Sequence, residues 1–245
     1  MGVRSFRRAA VAVVAATALG LSAAACSSGS GSDSGSGTSS QAELTAKTSP
    51  DAATLAKLPA KVDGAEIVVG DPNAPHTVTV YEDPRCPFCM HYEGGGAAAV
   101  AKLAAEKKVK IRYTIASFLD ANFGGDSSKR AVNAMRASVE QGKFPEFHAA
   151  VFASQPAKET DDAFTADNLL KIADKVPGLR SPAFDKAVRE NTYKDFVKAA
   201  EGAFESSGVN SSPVVLIDGK KPAGDGRAIF NEEAFKKVLA DAGIS

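Results

Sequence analysis

The segment Thr77-Val-Thr-Val-Tyr81, followed by Cys86-Pro-Phe-Cys89, decides the fold of this chain. Its first part alternates and is rich in β-branched residues, which is typical of a strand. An alanine-rich stretch with apolar residues at helical spacing follows at 97–106, and residues 109–115 have the composition of a second strand. A strand, a helix and a strand in this order form a βαβ unit, whose strands pair in parallel through a right-handed crossover.

The cysteine pair stands at the point where this strand meets the helix. That position puts the sulfur of Cys86 at the helix N-terminus, where unpaired N–H groups and the positive end of the helix dipole stabilise a thiolate. The sulfur of Cys89 lies one turn further along, within reach of a disulfide bond. A stabilised thiolate favours the reduced pair and so makes the disulfide more oxidising. We therefore predict that Cys86 is the exposed nucleophile and Cys89 the more buried, resolving thiol.

Three other interpretations of the pair were weighed. A structural disulfide across two intervening residues would constrain the unfolded chain very little. A zinc site with His91 would need four ligands, and the sequence holds no second Cys-x-x-Cys and no Cys/His cluster. An inactive binding domain would not need the intact pair. We expect no metal and no organic cofactor, and we expect His76 and His148 to play no part in the site.

The rest of the chain completes an α/β fold with an inserted helical subdomain. Residues from about 117 to 206 change to helical periodicity, and Val214–Ile217 returns to a strand. A short strand at Arg227–Phe230 is expected as its hairpin partner, and Asn231 is expected to cap a final helix. The sequence therefore predicts one α/β domain over residues 61–245, with the helical insertion at about 117–206.

The N-terminal residues have the pattern of an export signal. Residues 1–25 combine a basic start with an apolar stretch and small residues before Cys26. The stretch resembles a bacterial lipoprotein signal, which implies that Cys26 carries a lipid; Ala23-x-Ala25 also suits ordinary cleavage that leaves Cys26 unmodified. An uncleaved membrane anchor is the remaining alternative. Residues 26–60 are predicted to be a lipidated cysteine and a flexible Ser/Gly-rich tether. Residues 27–40 offer no apolar surface to bury, and residues 41–60 are a transition to the domain with a possible short helix around Ala52 to Leu58.

The charge balance of the chain does not indicate a charged partner. It has 29 basic and 29 acidic residues and a formal net charge of zero. Nothing in this balance favours binding to nucleic acid, which usually requires a basic excess.

We expect a monomer held at the extracytoplasmic face of the cell membrane by its lipid.

Several motifs together resemble the DsbA-like family of exported disulfide oxidoreductases, which have the thioredoxin fold. They are Gly70-Asp-Pro-Asn-Ala-Pro75, Asp83, the Cys86–Cys89 motif, the helical insertion and Ser212-Pro213. The resemblance runs from about Ile67 to the C-terminus. It implies that Pro213 follows a cis peptide bond and faces the cysteine pair, and that Pro87, Phe88 and Ser212 contact the substrate.

The resemblance implies a dithiol oxidase for reduced exported proteins, reoxidised by a membrane-bound, quinone-linked partner. The alternatives are a disulfide reductase or isomerase of the same fold, and a substrate-binding lipoprotein with a structural cysteine pair.

Three positions depart from the family pattern. The acid that often stands six residues before the first cysteine is replaced by Val80, and Glu82 is the candidate for its proton-transfer role. Phe88 replaces the histidine of the strongest oxidants, which predicts a less oxidising pair. Gly94-Gly-Gly96 falls inside the predicted active-site helix, where each glycine costs about 1 kcal/mol relative to alanine. We therefore expect a kink or a break there.

Overall fold

The computed structural model describes residues 2, 44–224 and 226–245. The predicted signal peptide beyond Gly2, the lipidation residue Cys26 and the Ser/Gly-rich run lie outside these residues. No helix in the described part of the chain has both the length and the apolar character needed to cross a bilayer.

Five strands form one sheet in the described part of the chain. They are β1 (Ala60–Asp63), β2 (Glu66–Val69), β3 (His76–Glu82), β4 (Val109–Ile115) and β5 (Val214–Ile217). Their order across the sheet is β1-β2-β4-β3-β5. β3 and β4 are parallel, as the βαβ pattern predicts, and each of the other neighbouring pairs is antiparallel. β3 is thus a central strand, and it leads directly to the cysteine pair.

Helices connect these strands and complete the α/β fold. Helix α1 (Ala52–Leu55) precedes the sheet, and α2 (Pro87–Glu93) and α3 (Ala97–Ala105) cross from β3 to β4. The inserted block between β4 and β5 contains α4 (Leu119–Phe123), α5 (Ser127–Glu140), α6 (Phe144–Ala153), α7 (Ala166–Ala173), α8 (Pro182–Glu190) and α9 (Lys194–Ser206). Helix α10 (Glu232–Asp241) follows β5, and its predicted cap is confirmed because the Asn231 side chain accepts a hydrogen bond from Ala234 N.

The chain enters and leaves the helical block at neighbouring points, which we call the neck. The backbone N–H and the hydroxyl of Ser117 both donate to Glu201 Oε2. The rings of Phe118 and Phe204 stack with their centroids 5.0 Å apart. These contacts join the end of β4 to the last turns of α9, so the block is closed where it meets the sheet.

The folded domain begins earlier than the predicted boundary at Lys61. Leu44 and Leu58 are 7% and 5% exposed and belong to the hydrophobic core. Lys47 N donates a 2.8 Å hydrogen bond to Ser154 Oγ, at the end of α6. Residues 44–60, assigned to the tether from their composition, are therefore part of the domain. Their few apolar side chains pack against residues that are distant in the sequence.

The predicted strand at Arg227–Phe230 is wrong, because these residues form a short 3-10 helix, η1. Positive φ angles at Gly224 and Gly226 interrupt the chain before it can continue as an extended hairpin. Ile229 O accepts a hydrogen bond from Gly96 N instead of a bond from β5. The main chain of η1 thus packs against the glycines of the cysteine-bearing helix pair.

This close packing explains the glycine run. The expected break is confirmed, since α2 ends at Glu93 and α3 begins at Ala97. A Cβ atom on Gly95 would lie 2.3 Å from Phe230 O, and one on Gly96 would lie 2.2 Å from Ile229 O. Only residues without a side chain let η1 approach this closely.

We predict that Gly96→Ala destabilises the protein by about 1–3 kcal/mol, because the new methyl group would push η1 away from its position. Gly202→Ala is the matched control: Gly202 lies within α9, and nothing occupies the space of its Cβ. Removing a glycine from a helix interior should stabilise the protein by roughly 0.5–1 kcal/mol. Urea unfolding of both variants measures the two effects. Equal changes in both variants would contradict the packing explanation.

Candidate active site

Cys86 occupies the N-cap of α2, and Pro87 is the first residue of that helix. Proline suits this position because the first helical N–H has no partner within the helix. Cys86 N donates to Asp83 O at 2.9 Å, which fixes the turn between β3 and α2. The sulfur therefore lies at the start of the helix, as the sequence predicted, and both cysteines are free thiols in this structure.

The two sulfurs differ in environment. Cys86 is only 6% exposed, so the predicted exposed position of this thiol is wrong, and Cys89 is fully buried. The hydrogen bond from Cys89, with smaller contributions from Ser212 and the N–H groups at the helix start, lowers the pKa of Cys86 to about 6 against the opposing effect of burial. Burial, followed by the interaction with Cys86, raises the pKa of Cys89 well above that of an ordinary thiol. At neutral pH the first sulfur is a thiolate and the second keeps its proton.

The loop before β5 faces this pair. The Ser212–Pro213 peptide bond is cis. The Sγ of Cys86 lies 3.4 Å from Ser212 O, across 126 residues of sequence. β5 begins at the next residue, Val214, which pairs with Tyr81 near the end of β3. The structure thus brings Ser212 and Pro213 to the cysteine pair through the register of two neighbouring strands.

Phe88 lies between the cysteines in sequence and points outward. Its side chain is the one large hydrophobic group in the described residues that is mostly exposed, at 62%. Its ring lies 6.3 Å from those of His91 and Phe230, centroid to centroid. The site therefore offers an apolar surface directly beside Cys86.

A buried polar network holds the turn that carries Cys86. Asp83 accepts hydrogen bonds from Leu119 N at 3.0 Å and from the Ser128 hydroxyl. Arg85, which is 1% exposed, pairs with Asp120 at 3.0 Å and donates to Glu159 O at 2.8 Å. All four of these partners belong to the inserted block, so the insertion determines the shape of the active-site turn.

Gln155 adds a direct contact between the insertion and the motif. Its Nε2 donates to Pro84 O at 2.6 Å and to Cys86 O at 3.0 Å. Sequence reasoning missed both Arg85 and Gln155. Arg85 directly precedes the motif, which was a usable signal, but nothing local to Gln155 shows that it reaches residue 86.

Glu82 and Val80 share the buried face of β3. Val80 is fully buried in the apolar core, so Glu82 is the acid on that face that approaches the cysteines. Burial is the main cause that raises the pKa of Glu82 well above its usual range, and the charge of Cys86 adds to it.

Glu82 has a partner that the sequence analysis dismissed. His148 is 2% exposed, and its Nε2 hydrogen-bonds to Glu82 Oε1. The expectation that His148 plays no part in the site is therefore wrong. His76 lies elsewhere, pairing with Asp218 at 2.8 Å on an exposed turn.

One group of described residues has metal-ligand atoms close together. Ligand atoms of Glu82, Glu93 and His148 all lie within 4.8 Å of one another. Cys86, Cys89 and His91 do not form such a group among the same residues, so the zinc interpretation of the motif has no geometric support.

Comparison with known proteins defines the class of this chain. A family model described as thioredoxin matches residues 62–239. The chain therefore belongs to the thioredoxin family.

Solved structures show which members of that family have a similar fold. MdbA, a thiol-disulfide oxidoreductase from Corynebacterium diphtheriae, superposes with a TM-score of 0.57 and 23% identity over 73% of this chain and 93% of that chain. The oxidised DsbA of Mycobacterium tuberculosis gives a TM-score of 0.55 and 23% identity over 74% of this chain and all of the other. The predicted DsbA-like thioredoxin fold is confirmed.

Curated relatives match parts of the chain. The Na(+)/H(+) antiporter NhaA 1 of Mycobacterium sp. (strain KMS) is 27% identical over 157 residues, or 63% of this chain. The serine/threonine-protein kinase PknE of Mycobacterium tuberculosis (strain ATCC 25177 / H37Ra) is 31% identical over 116 residues, or 45% of this chain. The matches span only 24% and 20% of those two proteins, so neither activity is carried over to this chain.

We predict that Arg85→Leu destabilises the protein by about 3–5 kcal/mol, because it leaves the Asp120 carboxylate buried without its cation. Arg189→Leu serves as the control, since its pair with Asp167 is exposed and should contribute at most about 1 kcal/mol. Urea unfolding at neutral pH measures both. A loss at Arg85 no larger than that at Arg189 would show that the network does not hold the turn.

Proposed function

We propose that this protein is an exported thiol-disulfide oxidoreductase that acts as a dithiol oxidase through Cys86 and Cys89. The observation that carries the proposal is the contrast between a stabilised thiolate at Cys86 and a buried, protonated thiol at Cys89. A pair built this way favours its reduced form and therefore gives up its disulfide to substrate thiols.

The reaction begins with the oxidised pair. A substrate thiolate attacks Sγ of Cys86, the Cys86–Cys89 bond breaks, and Cys89 leaves as a thiolate that takes up a proton. A second substrate thiolate then attacks the substrate sulfur of the mixed disulfide, which forms the substrate disulfide and releases the Cys86 thiolate. Two electrons have passed to the enzyme, and a membrane-bound, quinone-linked partner is proposed to remove them.

Substrate recognition follows from the surface around Cys86. Phe88 offers an exposed apolar ring beside the sulfur, and the backbone of Ser212 faces the sulfur from the opposite loop. We propose that an extended segment of a reduced exported protein lies between them. Glu82 is proposed to exchange the proton of Cys89. No cofactor or nucleic acid is part of this reaction.

Localisation is proposed from the N-terminal pattern. The basic and apolar residues 1–25, followed by Cys26, support export and lipid anchoring at the extracytoplasmic face of the membrane. The protein is proposed to act there as a monomer.

Trapping tests the proposed activity. In Cys89→Ser, the Cys86 thiolate attacks a disulfide of a substrate protein and displaces one of its sulfurs as a thiolate. The resulting mixed disulfides should accumulate in cells, because no Cys89 thiol is present to release them. Cys86→Ser is the control and should trap none. The binding-protein alternative would be correct if no adducts form and the wild-type pair neither oxidises nor reduces a test protein. Equilibration with glutathione measures the reduction potential of the cysteine pair and distinguishes an oxidase from a reductase. An oxidase has a potential well above that of reducing thioredoxins, which is about −270 mV.

Titration of the Cys86 thiol tests whether its thiolate is stabilised as proposed. In the reduced protein, thiolate ultraviolet absorbance should appear with an apparent pKa of about 6. Cys89→Ala should raise this pKa, because the hydrogen bond from Cys89 is the largest cause of its lowering. The folded pKa lies below the ordinary thiol value of about 8.5. The thiolate therefore stabilises the reduced fold fully above that value, and this stabilisation is lost as the pH falls through about 6. An unchanged pKa in Cys89→Ala would contradict the assignment.

A further inference from the structure

Three ionisable side chains form a buried row behind the cysteine pair. They are Glu82 at the end of β3, His148 in α6 and Glu93 at the end of α2. His148 lies in the middle, with Nε2 on Glu82 Oε1 and Nδ1 3.5 Å from Glu93 Oε2. The two outer oxygens, Glu82 Oε2 and Glu93 Oε1, have no hydrogen-bond partner within the described part of the chain. We call this set the acid–imidazole row.

The two ends of the row lie in different surroundings. At one end, Glu82 interacts electrostatically with Cys89, which is fully buried. At the other end, Glu93 and His148 line a cavity of about 20 Å³. That volume holds one water molecule when polar groups surround it, and Ser49 and Asp51 supply such groups from the N-terminal segment. The row therefore leads from the resolving thiol to a small cavity that Ser49 and Asp51 of the N-terminal segment help to line.

The groups around the row leave it without a fixed positive charge. Cys89 and Tyr92 face it from α2, Tyr113 from β4 and Asp51 from the N-terminal segment. Lys102 on α3 is exposed and pairs with Glu232 instead. No lysine or arginine of residues 44–224 and 226–245 pairs with Glu82 or Glu93 in the observed ion pairs. Two buried carboxyl groups without a cation must hold protons, so the row stores protons beside a thiol that has to gain and lose one.

We propose that Glu82, His148 and Glu93 form a proton relay between the resolving thiol Cys89 and solvent that enters the small cavity at Ser49 and Asp51. The relay rests on the proposed function, and it assigns His148 and Glu93 as positioning residues that act through Glu82. Its outlet is built by the segment 44–58, which the sequence alone assigned to a tether.

Within the row, the proton follows the contacts of His148 with Glu82 and Glu93. Between Cys89 and Glu82, the structure provides an electrostatic interaction. Glu82 and Glu93 both hold protons at rest. When a mixed disulfide on Cys86 is resolved, Glu93 first releases its proton to water, and Glu82 passes its proton to Nε2 of His148 while the Nδ1 proton moves to Glu93. The Glu82 carboxylate then takes the proton of Cys89, and the Cys89 thiolate attacks Sγ of Cys86. The Cys86–Cys89 bond forms and the partner leaves as a thiolate. Glu82 and Glu93 are then protonated again, the ring proton of His148 has moved from Nδ1 to Nε2, and one proton has passed to water. When a substrate opens the disulfide, the same steps run in reverse and deliver a proton to the Cys89 thiolate.

A two-phase assay separates the relay from the proposed function. The reduced full-length protein is mixed with an aromatic disulfide that releases a coloured thiolate. The first release reports attack by Cys86, and the second reports resolution by Cys89. Both rates are measured against pH, in water and in deuterium oxide, for the wild type, Glu93→Gln, His148→Gln and the control Glu146→Gln. Glu146 is a buried acid of the same helix as His148 that pairs with Lys143 outside the row.

We expect Glu93→Gln and His148→Gln to slow the second phase by about tenfold or more, with a shifted pH profile, while the first phase changes by less than about twofold. Glu146→Gln should leave both phases unchanged. In His148→Ala, added imidazole should restore the second phase, which a purely structural role for His148 would not predict. The wild-type second phase should be slower in deuterium oxide.

Each other outcome has a definite meaning. An unreactive Cys86 in the wild type would contradict the proposed function itself. A normal first phase with an unchanged second phase in both row variants would overturn the relay alone. Equal slowing of both phases, without imidazole rescue, would make the row structural. One equivalent of zinc or manganese in the purified wild type, absent from His148→Gln, would make the row a metal site.

Discussion

The pairing of β5 with β3 is the constraint on which the site depends. Tyr81 pairs with Val214, so the end of one strand lies beside the beginning of the other. The turn after β3 carries Cys86, and the loop before β5 carries Ser212 and Pro213. A shift of this register by one residue would turn the buried face of the edge strand β5 outward and move Ser212 away from the sulfur. The site is therefore a product of sheet register as much as of the cysteine motif.

The helical insertion is the second contributor to the site. The start of a helix can stabilise a thiolate, but it does not fix the direction in which the sulfur points. Here Arg85 and Asp83 bind the insertion beneath the turn, and Gln155 holds the carbonyl of Cys86. The Cys86 sulfur is thus supported from the block that separates β4 from β5. A thioredoxin-like sheet without this block would need another way to hold the turn.

Local patterns in the sequence predicted much of the fold. The βαβ unit, the break at Gly94–Gly96 and the Asn231 cap each depend on neighbouring residues. The strand predicted at Arg227–Phe230 was wrong because these residues form η1 instead. The Ile229 carbonyl of η1 accepts a hydrogen bond from Gly96 N, a contact with a residue far away in the sequence. His148 was misjudged because its partners lie 66 and 55 residues away in the chain. Single-sequence patterns carry no information about which distant elements meet, and buried polar contacts of this kind depend on that information.

The neck of the helical block has a consequence for how proteins of this fold can diversify. Ser117 and Phe118 meet Glu201 and Phe204, so the two ends of the block are held together independently of what lies between them. Lengthening a closed loop costs little additional entropy. The loops that join the helices of the block can therefore gain or lose residues at little entropic cost, whereas α7 and α8 themselves are packed against α5 and α6. Descendants of one ancestor could acquire new outer surfaces on this block while keeping the same redox centre.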